Sequence, residues 1–457
     1  MTIKDVSIIS KSFKFLIDNL NIRSSVSRNI FLMQKFNTDK LIINKELNDI
    51  EFILSKIKKD KSTINQISLK FLKLRDVKGS ILNLSEKRVL DDIELFEIKS
   101  FAILSNEINT LCKDANINIF KIPSLKEVIE ILDPDGTNIP MFYIYDSYSE
   151  ELANLRKKIK IATKKQDKNL EEELRYKADE FEDNIRVNLS NNLNKYVDDI
   201  KISFDSIINL DITIAKANQA YELNLCKPTI SDNNNEISKY QQMFNPLIAH
   251  NLQKNAQKFQ SIDITLNNSP CVITGANMSG KTVILKTIEL IQYLTQFGMY
   301  IPAKSVHIVL VDQILVCMDD EQDELKGLSS FAAEILSINN IIKTAKESNK
   351  ILVLIDELAR TTNPIEGNKI VSATIQMLKK YNIRSLITTH YSNINTDVRR
   401  LRVKGLASSI KNVTIDNINS FIDYSLIETT ETEVPKEAIR IAEILNVDRE
   451  FLELMNS

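Results

Sequence analysis

The sequence predicts an all-α region followed by an α/β region: a helical N-terminal core with a projecting helical arm, then a nucleotide-binding domain with a mainly parallel sheet. Three observations lead there. Only 8 of 457 residues are glycine, against a usual share of ~7%, so the chain lacks the turns of a hairpin-rich all-β fold. No proline precedes Pro123, which leaves the first stretch free to run as long helices. Beyond residue 236, short β-branched runs alternate with helical stretches, the pattern of a parallel sheet covered on both faces.

The elements follow in order. Leu47, Ile50, Leu54 and Ile57 recur at the spacing of one helix face, as expected in a helical core over residues 1–149. Pro134, Gly136 and Pro140 gather in LDPDGTNIP, residues 132–140, and mark a first hinge or subdomain edge. Residues 150–236 are expected to form the arm and a return to the core. The arm is basic at Arg156, Lys157, Lys158, Lys160, Lys164, Lys165 and Lys168, then acidic from Glu171 to Asp183. Leu170, Leu174, Ala178, Phe181 and Ile185 supply its apolar seam. Lysines without interleaved aromatics, closely followed by opposite charges, read first as a solvated helix surface and second as an arm touching phosphate.

SDNNNE, residues 231–236, reads as a linker into a domain over residues 237–435. Strands are expected at Cys271–Thr274, Val306–Val311, Ile351–Ile355 and Ser385–Thr388, with a hairpin over 403–428. Residues 436–457 close the chain as a helix.

Charge and cysteine usage narrow the function classes. A formal charge of -2 from 59 basic and 61 acidic residues leaves room only for a local nucleic-acid patch. Cys112, Cys226, Cys271 and Cys317 lie far apart without a CxxC pair, as reduced buried thiols do. Neither a signal peptide nor an apolar run of 18 residues is visible, so a cytoplasmic protein without a membrane anchor is expected.

After the strand CVIT comes Gly275-Ala276-Asn277-Met278-Ser279-Gly280-Lys281-Thr282, a complete GxxxxGK[ST] phosphate loop before a helix. Its backbone N–H groups would cradle the phosphates of ATP, Lys281 would reach the outer ones and Thr282 would be a Mg²⁺ ligand. Some 75 residues on, ILVLIDEL ends a strand in Asp356 and Glu357. Asp356 would hold Mg²⁺ through water, and Glu357 would orient or deprotonate the attacking water. A third strand ends in Thr388-Thr389-His390. A lone histidine is more often structural, but His390 at that terminus is placed to sense the γ-phosphate.

TGANMSGKT, Gly298-Met-Tyr-Ile-Pro302-Ala303, Gly327-Leu-Ser329-Ser330-Phe331-Ala-Ala-Glu334, DELARTTNPIEG and TTHY together resemble the MutS ATPase, a branch of the ABC class, across roughly residues 240–445. The resemblance implies that Phe259 stacks on adenine and that Ser329, with Ser330 beside it, serves the nucleotide of a partner subunit. That in turn implies a homodimer, or a heterodimer with a MutS-like homologue, with two composite sites. From the residues alone, Phe259 reads equally as a core aromatic and Ser329–Ser330 as a helix N-cap. The chain departs from the family pattern at Ala276, where proline is usual, at Ser279, where glycine is usual, and at Ala359 and Thr361, where glycines are usual.

Asp146-Ser-Tyr-Ser149 through Arg156 resembles the MutS core entering its clamp. This would make residues 1–149 lever-like and place the charged arm across DNA, in a short form without the Phe-x-Glu mismatch-reading domain or a nuclease-like tail. A DNA-binding, mismatch-repair-like ATPase is the first expectation. The alternative is an ATP-dependent reactivase, since LDPDG, YDSYS and DELARTTNP also resemble the KamC-type subunit that serves a cobalamin-dependent lysine 5,6-aminomutase as client.

Overall fold

The computed structural model describes residues 1–275, 280–318, 330–360, 362–391, 394, 396–406, 422–429 and 447–456. Its first half is helical: α1 (Ile3–Ile9), α2 (Lys11–Asp18), α3 (Ser25–Leu32), α4 (Lys40–Lys59), α5 (Lys61–Lys70), α6 (Lys78–Ser85), α7 (Asp92–Asp114), α8 (Lys126–Leu132), α9 (Glu150–Lys164), α10 (Lys168–Leu193) and α11 (Val197–Glu222). None of the described helices is long and apolar enough to cross a membrane. By contacts the chain forms two compact units, and neither is contiguous in sequence. One contains Met1–Leu20, Gln34–Asn48 and Gln219–Ser457; the other contains Asn21–Met33 and Asp49–Asn218. The division falls inside α4 and α11.

The helical unit is organised around α7, which starts from a reciprocal capping box between Asp91 and Glu94. Its Leu95, Ile98, Phe101, Ala102 and Ile108 are buried, and Phe101 meets Phe204 of α11 edge-on at 5.5 Å. The turn at 132–140 is anchored rather than loose. Asp133, fully buried, accepts from Lys99 Nζ at 3.0 Å, Thr137 Oγ1 at 2.8 Å and the Asn138 amide at 2.6 Å. Burial raises the Asp133 pKa, but these hydrogen bonds and the Lys99 charge outweigh it and leave the carboxyl below its ordinary value.

α9 and α10 pack along one another. The buried seam consists of Leu152 and Ala162 against Leu174, Ala178, Ile185 and Leu189. Leu170 and Phe181, expected in this seam, are exposed, because the contact favours the spacing of 174, 178, 185 and 189. Arg156 links the arm's base to its second helix through Ile144 O, Asp146 and Glu182.

The other unit carries the sheets, built from β1 (Thr229–Ser231), β2 (Ser238–Met243), β3 (Ile262–Leu266), β4 (Pro270–Thr274), β5 (Ser305–Val309), β6 (Gln313–Cys317), β7 (Ile351–Ile355), β8 (Arg384–Thr389), β9 (Arg399–Leu406) and β10 (Ile422–Glu428). Between and after them stand α12 (Pro246–Lys254), α13 (Lys281–Gln296), α14 (Ser330–Glu347), α15 (Pro364–Lys380) and α16 (Arg449–Asn456).

A six-stranded sheet runs β10-β9-β4-β8-β7-β6, parallel except for the antiparallel β9–β10 pair. Val353, Ile355 and Ile387 pack in one cluster with Ile338 and Ile341 of α14 and Val371 and Ile375 of α15. α13 also packs against β7 and β8. All residues of β7 and β8 are buried, and β7 accordingly reads as a continuous apolar run.

Two expectations change. The run Val306–Val311 does not join this sheet: β5 sits in a four-stranded sheet, β1-β5-β2-β3, antiparallel to β2 and parallel to β1. Its place beside β7 is taken by β6. Residues 231–236 are an ordered turn between β1 and β2, not a linker. Arg384, fully buried, donates to the carbonyls of Asn234, Glu236 and Leu266. Of the hairpin over 403–428, β9 and β10 pair as expected, and residues 407–421 lie outside the described residues. The expected closing helix is described only as α16.

Candidate nucleotide site

Parallel register brings three strand ends together. Ile273 and Thr274 of β4 pair with Thr388 and Thr389 of β8, and Ile355 of β7 pairs with Ile387. Gly275, Asp356 and His390, each just past its strand, therefore meet at the carboxyl edge of the sheet, where open α/β sheets bind ligands.

Gly280 caps α13 in a left-handed conformation, φ 77°, natural for glycine and costly for other residues. A Cβ there would stand 3.1 Å from the Tyr424 ring. Lys281, only 4% exposed, turns back to donate to Gly275 O at 2.9 Å and lies 3.7 Å from Glu357 Oε1. Thr282 Oγ1 donates to Asp356 Oδ2 at 2.5 Å, and Thr388 Oγ1 donates to Asp356 Oδ1 at 2.5 Å. Thr388 Oγ1 also accepts the Glu357 amide at 3.0 Å. Glu357 Oε2 receives Arg360 Nη1 at 3.2 Å. Lys281, Thr282, Asp356 and Glu357 thus form one connected polar group.

Thr282 and Asp356 fit a Mg²⁺ ion. They offer adjacent hard oxygens, and Mg²⁺ at phosphate sites takes one or two protein ligands, with phosphate and water supplying the rest. Among the described residues no cluster of three or more His, Cys, Asp or Glu could hold a metal on protein ligands alone.

His390 is exposed, and its ring lies 4.2 Å from that of Tyr391. Desolvation lowers its pKa below 6.5, Glu357 opposes the shift, and Lys281 and Arg360 reinforce it. Phe259 is half-buried and lines a cavity of about 660 Å³ with Cys226, Gln242, Phe244, Ser261 and Lys304. The neighbouring Gln260 donates to Asp423 at 2.8 Å and to Ser425 at 3.1 Å, and accepts the Tyr424 amide at 3.0 Å. Phe259 is therefore next to a residue tied to the strand that places Tyr424 beside Gly280.

Ala276, Asn277, Met278, Ser279 and Ser329 lie outside the described residues, and Ser330 opens α14. Tyr424, Gln260, Arg360, Tyr391 and Glu334 were not singled out from sequence as site residues. Tyr424, Gln260, Tyr391 and Glu334 act through contacts distant in sequence, whereas Arg360 meets Glu357 three residues away, and the alternation in β10 gives no reason to prefer Tyr424 over its neighbours. One departure from the family pattern finds its explanation. Ala359, where glycine is usual, keeps the left-handed backbone, φ 60°, and Glu357 shares it at φ 44°. Thr361 lies outside the described residues.

Residues 271–452 match the family model of MutS domain V. The chain is 33% identical over 194 residues to endonuclease MutS2 of Carboxydothermus hydrogenoformans, covering 42% of this chain and 24% of that protein. It is 32% identical over 216 residues to the DNA mismatch repair protein MutS of Bacteroides fragilis, covering 46% and 24%. With the mismatch repair protein MutS of Clostridium kluyveri the identity is 29% over 253 residues, covering 54% and 29%. The matched stretch thus spans about a quarter of these relatives' length. Over that stretch the chain is similar to the ATPase domain of the MutS proteins.

Proposed function

We propose that this chain binds and hydrolyses ATP as a MutS-type ATPase, working in pairs and using the cycle to change its hold on DNA. The observation that carries the ATPase reading is the junction of Lys281, Thr282–Asp356 and Glu357 at the strand ends, inside the segment similar to MutS domain V.

In this reading Lys281 leaves Gly275 O for the outer phosphates, an exchange of one acceptor for a charged one. When bound, Mg²⁺ would neutralise phosphate charge, held by Thr282 and Asp356. Glu357 accepts the proton of the attacking water as the water oxygen bonds to the γ-phosphorus and the bond from that phosphorus to the β,γ-bridging oxygen breaks, so that ADP and phosphate leave. His390, neutral near pH 7, offers a hydrogen bond at the γ-phosphate without adding charge. Phe259 and Tyr424 flank the nucleotide on the side of β10 and the loop. Ser329, with Ser330 beside it, serves the partner subunit's nucleotide; residues 1–149 serve as a lever and the arm from residue 150 as a clamp. The names of the relatives, mismatch repair protein and endonuclease, favour DNA as the ligand.

The test has two arms. Wild-type protein should turn over Mg·ATP with a specific activity that rises with protein concentration as dimers form, and Lys281→Ala should abolish nucleotide binding. Binding to duplex, mismatched and branched DNA should be measured at low salt with and without ATP. Absence of affinity for all three, with turnover intact, overturns the DNA part and leaves the ATPase.

A further inference from the structure

The loop after β7 holds two left-handed residues, Glu357 at φ 44° and Ala359 at φ 60°. Each is disfavoured for a residue with a Cβ by about 1–2 kcal/mol. Such a loop keeps its shape only if contacts from outside impose it. Those contacts converge on one residue. The Ala359 amide donates to Glu334 Oε1 at 2.8 Å, and the Ala359 carbonyl accepts the Tyr391 hydroxyl at 2.7 Å. Ala359 is fully buried and Tyr391 nearly so. Gly367, inside α15, leaves room for this grip: a Cβ there would collide with the Tyr391 hydroxyl and stand 3.2 Å from Ala359 O. α14, α15 and the segment after β8 thus clamp a single residue, two positions beyond Glu357.

We infer that Glu334 and Tyr391 are positioning residues that hold the Glu357 loop in its left-handed form and thereby set turnover rather than nucleotide affinity. The inference rests on the reading of Glu357 as the residue that activates water. Neither residue touches the reacting atoms; both act through the Ala359 peptide. A carboxylate accepting a backbone N–H makes the stronger kind of hydrogen bond. Glu334 lies four residues, one helical turn, beyond Ser330 at the head of α14, so a displacement of that helix start would be passed to Ala359 and then to Glu357.

The experiment compares Glu334→Ala, Glu334→Gln and Tyr391→Phe with wild type in the full chain. Hydrogen exchange of the peptide spanning residues 356–360 should accelerate by about 10-fold or more in Glu334→Ala and Tyr391→Phe, without nucleotide. Their kcat for Mg·ATP should fall by about 10- to 100-fold with KM within about 2-fold, the signature of misplacement rather than lost binding. Glu334→Gln, which keeps an acceptor oxygen, should retain most of both properties. Unchanged exchange in Glu334→Ala and Tyr391→Phe, a KM that rises in step with the loss of kcat, or a Gln variant as impaired as the Ala variant would overturn the inference. If Glu334→Ala does not fold, Tyr391→Phe, which removes one hydroxyl, decides. A wild-type protein without turnover would sink the proposed function, while exchange would still decide whether the two residues hold the loop.

Discussion

In the proposed function Glu357 is the residue on which the chemistry turns, and its surroundings would separate binding from turnover. Lys281 and Thr282 would contact the phosphates through their own atoms, whereas Glu357 stands 3.7 Å from Lys281. Glu357→Gln keeps the shape and removes the proton acceptor. It should leave ATP affinity near wild type and reduce kcat by about 100- to 10,000-fold, the range for a general base. An undiminished rate in a stopped assay would remove Glu357 from that role. His390 gives the same site a pH limb. Its folded pKa lies below 6.5, so the unfolded chain binds the extra proton first, and stability at this residue is lost as pH falls from 6.5 toward the folded value. Activity should show an acid limb below 6.5 that His390→Gln abolishes; an identical profile in the variant would assign the limb elsewhere. The phosphate loop, the Asp-Glu strand end and the TTH strand end were all legible in the sequence because each is a local motif on a strand terminus. Tyr391 and Tyr424 were not, because each is held by a partner distant in sequence that no local pattern encodes.

At the scale of elements, the sequence identified β7, buried on both faces, as a continuous apolar run. It placed Val306–Val311 in the wrong sheet and did not assign β6, because sheet membership depends on partners and no glycine or proline separates the two strands. Its polar composition made SDNNNE look like a linker, when Arg384 holds its carbonyls. LDPDGTNIP was legible as a break, but what fixes it is the buried pair of Lys99 and Asp133. Removing one member leaves the other charge buried and alone, so Asp133→Ala should destabilise by about 3–5 kcal/mol in denaturant unfolding. Tyr145→Phe, which deletes one hydrogen bond to Lys99, should cost about 1 kcal/mol. A double Lys99→Met, Asp133→Leu variant should recover most of the loss. If Asp133→Ala proves as stable as wild type, the pair does not anchor the turn.

For the whole molecule, a formal charge of -2 means that the proposed hold on DNA would need a local patch, and the arm is the candidate. Lys157, Lys158, Lys160, Lys164, Lys165 and Lys168 are all exposed, and among the described residues none of them forms a salt bridge. In α10, by contrast, Arg175 and Lys177 are engaged by Glu171 and Glu173. Lys157, Lys160 and Lys164 share one face of α9 at three- and four-residue spacing. Each phosphate contact on duplex DNA contributes about 0.9 to the slope of log affinity against log salt, so three contacts make about a 40-fold difference between 50 and 200 mM. Changing these three lysines to glutamine should flatten the slope by up to about 2.7 while ATP turnover without DNA stays as in wild type. Lys158→Gln and Lys165→Gln, off that face, should change it less. A slope unaltered in the triple variant would make the arm a solvated surface that keeps the chain soluble, and DNA would have to be held elsewhere on the molecule.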